Sequence, residues 1–283
     1  MKIIVTGSTS FLGRAAVKIM TQKGREVIPF RHSFEDETER LPANADVWLH
    51  FAWAGAGSAG RSDPGIQDFN IQMTLRAAQK AAELGCGRFL FAGSQAEYGH
   101  AQDGTPKCED GPAEPVSEYG RAKLEVCRRL TAYFAPQETD YIHMRLFSVY
   151  GPGDHENSLV NTLIRGFGRG EEISLGNCTQ AWNYLYIDEA AEAIGLLAER
   201  GERGIYNIAG EDTRALRDYV EEVQRICGGS GTALFGTRAD NAEGPADLSP
   251  DISRVEALGF RQRISFEDGI GRIMEACRLQ EAN

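Results

Sequence analysis

Tyr119 and Lys123 stand four residues apart in the run Tyr119-Gly120-Arg121-Ala122-Lys123. On a helix that spacing puts both side chains on one face. A free phenol has a pKa near ~10, too high for ready proton exchange at neutral pH. A neighbouring ammonium stabilises the phenolate and lowers that value, which makes the phenol a general acid/base near neutrality. The same spacing also occurs in ordinary surface pairs, so what precedes it matters. An apolar run over residues 88–92 leads into Gly93-Ser94. A serine just past the carboxyl end of a parallel strand lies where α/β sheets place ligands. Gly120 costs a helix roughly 1 kcal/mol against alanine, which implies that another group approaches it closely.

A second chemical signal lies at the start of the chain. Gly7-Ser8-Thr9-Ser10-Phe11-Leu12-Gly13 joins a β-branched strand, Lys2–Thr6, to a helix predicted over 14–23. Free N–H groups and the helix dipole at such a turn favour a dinucleotide pyrophosphate. The next strand, Glu26–Phe30, runs into Arg31, His32 and Ser33. An acidic residue there would accept from the adenosine ribose of NAD and repel a 2′-phosphate, whereas an arginine pairs with that phosphate. Arg31, with Arg14 on the other side, therefore points to NADP(H) in preference to NAD(H). Both arginines also read as solvated surface charges.

These residues need a frame. Strand, glycine turn, helix, strand in the first thirty residues is a βαβ unit. The alternation continues with strands at 46–51, 88–92 and 141–147 and helices at 70–84 and 117–134. This predicts an α/β fold, a Rossmann-type doubly wound parallel sheet over 1–150. After Gly151 the rhythm changes. A smaller substrate lobe is expected over 151–283, interleaved with the first domain, which the chain rejoins at about 186–209. Within 182–208 a strand, a helix and a strand are predicted, and 228–250 reads as loop.

The chain has 283 residues, 42% hydrophobic and 25% charged, which is ordinary globular composition. A net charge of -11 argues against nucleic acid, whose phosphates call for clustered Lys and Arg. No apolar stretch is long enough to span a bilayer and no secretory segment opens the chain, so a cytoplasmic protein is expected. The six cysteines show neither a disulfide framework nor zinc spacing, and read as reduced, mostly buried thiols. No metal site is indicated. His50 sits in an apolar run and reads as a hydrogen-bonded core histidine. His100 and His155 lie in loops with no spacing that assigns them a role. Trp53 and Trp182 read equally as pocket walls for stacking or as core. A hydrolase would need a GxSxG elbow, which Ala92-Gly93-Ser94-Gln95-Ala96 lacks.

The sequence resembles the extended short-chain dehydrogenase/reductases of the NAD-dependent epimerase/dehydratase family over nearly its whole length. Residues 6–13 are similar to the TGxxGxxG fingerprint, with Ser10 where glycine is usual. Asp46-Val47-Trp48-Leu49-His50-Phe51-Ala52 resembles DxVxHxAA, with Trp53 replacing the last alanine. Asn70 resembles the asparagine that opens the next helix. Ser94, Tyr119 and Lys123 match the catalytic set. Residues 145–153 are similar to RxFNVYGPG, with Ser148 replacing an asparagine, and residues 182–188 to RDYxxVxD, with Trp182 replacing arginine.

The resemblance implies that Tyr119 exchanges a proton with a sugar oxygen. Lys123 lowers the Tyr119 pKa and holds the nicotinamide ribose, and Ser94 bonds the reacting oxygen. It further implies cofactor contacts from Gly7, Ser10, Phe11, Leu12, Gly13, Phe51, Ala52, Trp53, Asn70 and Phe147. Gln95, Ser148, Ser158, Leu159, Trp182 and Arg238 are implied to contact a nucleoside-diphosphate sugar, and a homodimer is implied.

Dehydratases of the family carry a carboxyl just after the catalytic Ser/Thr. Here Gln95 and Ala96 follow, with Glu97 one position late. The expectation is therefore NADPH-dependent reduction of a keto group on a nucleoside-diphosphate sugar of the 4-keto-6-deoxy kind, with no elimination of water. A 4-epimerase with retained NAD is the alternative. A non-catalytic dinucleotide sensor is a third reading, against which the Tyr/Lys pair argues.

Overall fold

The computed structural model describes residues 1–30, 44–55, 57–100, 104–239 and 246–281. In chain order the first half holds β1 (Lys2–Thr6), α1 (Phe11–Gln22), β2 (Glu26–Phe30), β3 (Val47–His50), α2 (Ser58–Arg61), α3 (Pro64–Glu83), β4 (Arg88–Ser94), α4 (Glu118–Phe134), β5 (Asp140–Leu146) and β6 (Ser148–Tyr150). The second half holds α5 (Leu159–Gly168), β7 (Glu172–Ser174), β8 (Ala181–Tyr186), α6 (Ile187–Arg200), β9 (Gly204–Ile208), β10 (Thr213–Ala215), α7 (Leu216–Ile226), β11 (Thr232–Leu234), α8 (Ser253–Ala257) and α9 (Phe266–Glu281).

Six strands form one sheet in the order β2-β1-β3-β4-β5-β9. Every neighbouring pair is parallel. The fold is a Rossmann-type doubly wound α/β sheet. Its strands are apolar on both faces because helices cover both. Ile3 and Val5 join one core with Ala16 and Met20 of α1 and Ala190, Ile194 and Leu197 of α6. Ile4 and Trp48 point the other way, into a core with Ala77, Ala78 and Ala81 of α3 and Val126 and Leu130 of α4. This is the two-residue period of a strand sorting side chains between layers. The strand order reverses beside β1, so a crevice opens at the carboxyl ends there. The glycine turn after β1 and Ser94 at the end of β4 both lie on that edge.

The second lobe is built on a three-stranded sheet, β10-β8-β6, and a two-stranded parallel pair, β11-β7. Tyr150, Tyr184, Tyr219 and Phe266 form its aromatic centre, with ring centroids 4.7–5.6 Å apart between packed pairs such as Tyr219–Phe266 and Tyr150–Tyr184. The chain leaves this lobe to add β9 beside β5 in the main sheet, then returns to it through β10.

Several boundaries differ from expectation. Helix α1 begins at Phe11, inside the glycine turn. Helix α3 begins six residues before Asn70: Asp63 caps it, accepting from Gly65 N (2.8 Å) and Ile66 N (3.1 Å), and Pro64 takes the first helical position. The stretch read as loop after Gly228 contains β11. Of the six cysteines, all free, Cys86, Cys127 and Cys178 are buried; Cys108 and Cys227 are half-buried and Cys277 is exposed. No helix among the described residues is long and apolar enough to cross a membrane.

The helix glycine has its expected neighbour. A Cβ on Gly120 would lie 2.4 Å from Ala96 O, so α4 packs directly on the backbone that follows Ser94. Gly120→Ala gains helix propensity but must push α4 off that backbone. We expect a net loss of about 1–3 kcal/mol in chemical denaturation, with activity falling more than stability predicts, because Tyr119 moves with the helix.

Candidate active site

The glycine turn is shaped by two contacts. Gly7 has φ +74°, and a Cβ there would strike Ala52 N at 2.5 Å. A Cβ on Gly13 would lie 2.1 Å from Gly7 O. The helix start and the strand end are thus drawn together as only glycine allows. Ser10 caps α1, its hydroxyl accepting from Gly13 N (3.1 Å). That hydroxyl keeps its own proton to donate, and helix geometry leaves the N–H groups of Phe11 and Leu12 without intrahelical acceptors. This cradle fits a dinucleotide pyrophosphate. Arg14 is engaged with two carbonyls, Thr9 O (2.6 Å) and Gly153 O (2.9 Å), and so braces the turn to the loop after β6. Arg31 lies outside the described residues. Phe51 is buried in the main core. Asn70 turns its amide to the next loop, accepting from Ala54 N (2.7 Å) and donating to Ala54 O (2.9 Å).

A cavity of about 710 Å³ runs from Leu12 into the second lobe. Its wall carries Ser94, Gln95, Tyr119, Phe147, Ser148, Ser158, Leu159, Trp182 and Arg238. Residues from six separate stretches of sequence meet there. Ser94 Oγ accepts from Ala96 N (3.2 Å), leaving its proton for an oxygen in the cavity. Gln95 Nε2 reaches Ser148 Oγ at 3.4 Å. Ser158 caps α5, accepting from Asn161 N, so the N-terminus of that helix faces the cavity. Trp182 lines the cavity and Trp53 does not.

Trp53 instead covers Lys123. Lys123 Nζ lies 3.5 Å from the Trp53 ring centroid and 4.6 Å from that of Phe91. It donates to Ala92 O at 2.7 Å and sits 5.5 Å from the Tyr119 ring centroid. Burial pulls its pKa well below the usual lysine range, opposed by Glu97 and reinforced by Arg61. Trp53 is held by Gln67, whose Oε1 accepts from the indole N–H (3.2 Å).

Behind Ser94 lies a sealed ionic cluster. Glu97 is fully buried and faces away from the cavity. Its carboxylate accepts from Ser94 N (2.8 Å), His143 Nε2 (2.9 Å) and Arg145 Nε (3.0 Å). Burial alone would lower the His143 pKa, but Glu97 and Cys127 together push it up to about 9. Burial would raise Glu97, and His143 and Arg145 together hold it below the usual carboxylate value. Glu97, Cys127 and His143 also bring metal-type donor atoms close together. The carboxylate is already bound to two cationic side chains there, so the cluster reads as an ion-pair network.

His50 is buried with both ring nitrogens bonded. Thr74 Oγ1 donates to Asn70 O (2.8 Å), so it accepts from His50 Nε2 (3.3 Å). Nδ1 then accepts from Thr6 Oγ1 (2.6 Å), as a neutral imidazole requires. Burial, with Lys123 nearby, lowers its pKa to about 3.

Sequence reasoning passed over Arg61 and Gln67. Asp63-Pro64 signals the helix that carries Gln67, but nothing in the local pattern marks Arg61.

The model of the NAD dependent epimerase/dehydratase family matches residues 3–209. The chain belongs to that family, a branch of the extended short-chain dehydrogenase/reductases. It is similar to the low-salt glycan biosynthesis protein Agl12 of Haloferax volcanii, 26% identical over 242 residues, covering 84% of this chain and 76% of that protein. It is also similar to the dTDP-6-deoxy-L-talose 4-dehydrogenase (NAD(P)(+)) of Kitasatospora kifunensis, 24% identical, covering 97% and 95%. Among solved structures it shares its fold with the UDP-glucose 4-epimerase of Thermotoga maritima in complex with UDP-glucose. That match has a TM-score of 0.87 at 22% identity and covers 99% of this chain and 100% of the other.

The two buried histidines set a pH dependence of stability. The contribution of His143 is complete below its ordinary value of 6.5 and fades as pH rises through about 9. The contribution of His50 is complete above 6.5 and fades as pH falls toward about 3. The Tm should decline on both sides of neutrality. His143→Gln should flatten the alkaline decline and spare the acid one; an unaltered alkaline slope would remove His143 from this role.

Proposed function

We propose that this chain reduces a keto group on a nucleoside-diphosphate sugar of the 4-keto-6-deoxy kind, using NADPH. The observation that carries the reading is the split between Ser94 and Glu97. The cavity wall beside Ser94 continues as Gln95 and Ala96, while the carboxylate of Glu97 is spent on the interior cluster. The segment directly after Ser94 thus brings no carboxyl into the cavity to drive elimination. The similarity to a 4-dehydrogenase of a dTDP-6-deoxy sugar supports the substrate class. The choice of NADPH rests on Arg31, which follows Phe30 in the sequence.

When bound at the glycine turn, a nicotinamide dinucleotide would supply the hydride that the carbonyl carbon accepts. Phe11 and Leu12 N–H and the Ser10 hydroxyl would hold its pyrophosphate, and Lys123 and Trp53 would meet its nicotinamide half. Tyr119 gives its proton to the carbonyl oxygen, which becomes the product hydroxyl. The phenolate left behind is stabilised by nearby positive charge and regains a proton from solvent. Ser94 donates to the same oxygen and fixes its position. Ser158 and the start of α5 meet the substrate diphosphate, with Arg238 at the far end. Trp182 offers a flat face for the sugar or base. We further propose a cytoplasmic homodimer.

The test is NADPH and NADH oxidation across a panel of keto-sugar nucleotides. Net consumption of NADPH in proportion to sugar reduced is expected. Interconversion of two sugar nucleotides with no net redox would instead favour a 4-epimerase. Tyr119→Phe should lower kcat by roughly 100- to 10,000-fold while NADPH binding, read by fluorescence titration, persists. Arg31→Glu should weaken NADPH more than NADH. Full turnover by Tyr119→Phe would defeat the mechanism.

A further inference from the structure

We propose that Arg61 is a second cation of the active centre, stacked on Tyr119 to stabilise its phenolate. The inference rests on Tyr119 being the proton donor. Arg61 ends the four-residue helix α2, on the loop that carries Trp53. Its guanidinium carbon lies 4.3 Å from the Tyr119 ring centroid, and its side chain shares the cavity wall with Ser94 and Tyr119. A cation over an aromatic face is attracted by the ring, and far more so once the ring carries a phenolate charge.

The placement is built. Gln67 Nε2 donates to Gly60 O (2.8 Å), while Gln67 Oε1 accepts from Trp53 (3.2 Å). One buried amide therefore sets both the tryptophan over Lys123 and the backbone that presents Arg61. A Cβ on Gly60 would lie 2.5 Å from Gly55 Cα, so this loop closes on itself tightly just before Arg61.

The need for a second cation follows from the surroundings of the first. Lys123 is enclosed by Trp53, Phe91 and Ala92, and burial favours its neutral amine. A guanidinium keeps its charge at every pH at which the enzyme could work. Arg61 thus supplies a guanidinium charge beside a buried amine. The groups facing Tyr119 are Lys123 on its own helix, Arg61 on α2, Trp53 after β3 and the Ser94 hydroxyl on β4. Other titratable side chains on the cavity wall are His100, Tyr150, Asp154, Cys178, Tyr184 and Arg238.

The experiment compares pH profiles of keto-sugar reduction by wild-type enzyme, Arg61→Gln and Arg61→Lys. In reduction Tyr119 must hold its proton, so the rate falls as pH rises through the phenol pKa. Loss of Arg61 raises that pKa, so the falling limb of Arg61→Gln should move to higher pH by about one unit. Its kcat at neutral pH should fall by roughly 10-fold, with a smaller change in KM. Arg61→Lys should return the limb toward its original position, which a merely structural role would not require. If Arg61→Gln keeps the wild-type limb while Tyr119→Phe is inactive, the inference fails and the assignment of Tyr119 stands. If Tyr119→Phe turns over normally, both fail together.

Discussion

The active centre depends on holding a cation inside an apolar sheet. Lys123 projects from α4 onto the carboxyl end of β4, where Ala92 O takes one of its protons and Trp53 and Phe91 cover it. Burying an ammonium costs several kcal/mol. One charge-assisted hydrogen bond returns about 1.5–3 kcal/mol and a desolvated cation–π contact about 2 kcal/mol. Burial therefore draws the lysine pKa well below the usual range. Tyr119 lies beside it, its ring centroid 5.5 Å from Nζ, and the neighbouring side chains keep that geometry.

That arrangement explains polar groups that never meet a ligand. Ser94 must present its hydroxyl at the end of β4, and Glu97 holds its backbone from behind. A lone buried carboxylate would be intolerable, so His143 and Arg145 on β5 share it. On the other flank Asn70 and Gln67, both on α3, tie down the loop that carries Trp53 and Arg61. Ser94 and Tyr119 line the cavity, and the side chains that brace their surroundings sit one layer deeper on rigid elements.

The two lobes have different tasks. The parallel sheet brings the glycine turn and Ser94 to one edge because its strands all end there. The second lobe closes the cavity with β6, α5 and Trp182. Its aromatic centre is separate from the sheet core, but Arg14 links the two regions through Gly153 O. The cavity therefore spans elements that are far apart along the chain.

Local chemistry made much of this legible in the sequence. The glycine spacing, the strand before it and the Tyr/Lys repeat each follow from backbone geometry within a few residues. Gly120 announced a close neighbour, though only packing identified it as Ala96 O. Tertiary structure decided what the long-range contacts do. Glu97 reads as a misplaced catalytic acid until His143 and Arg145 are brought to it across β5. Trp53 and Trp182 were equivalent by type, and their separate surroundings made one a cover for Lys123 and the other a cavity wall. Arg61 carries no signal at all, since a single exposed-looking arginine acquires meaning only when a helix fifty-odd residues on sets a phenol beneath it. Periodicity and turn chemistry act over a few residues and leave their mark in order along the chain. Charge pairing and stacking act through space, and the chain order does not record them.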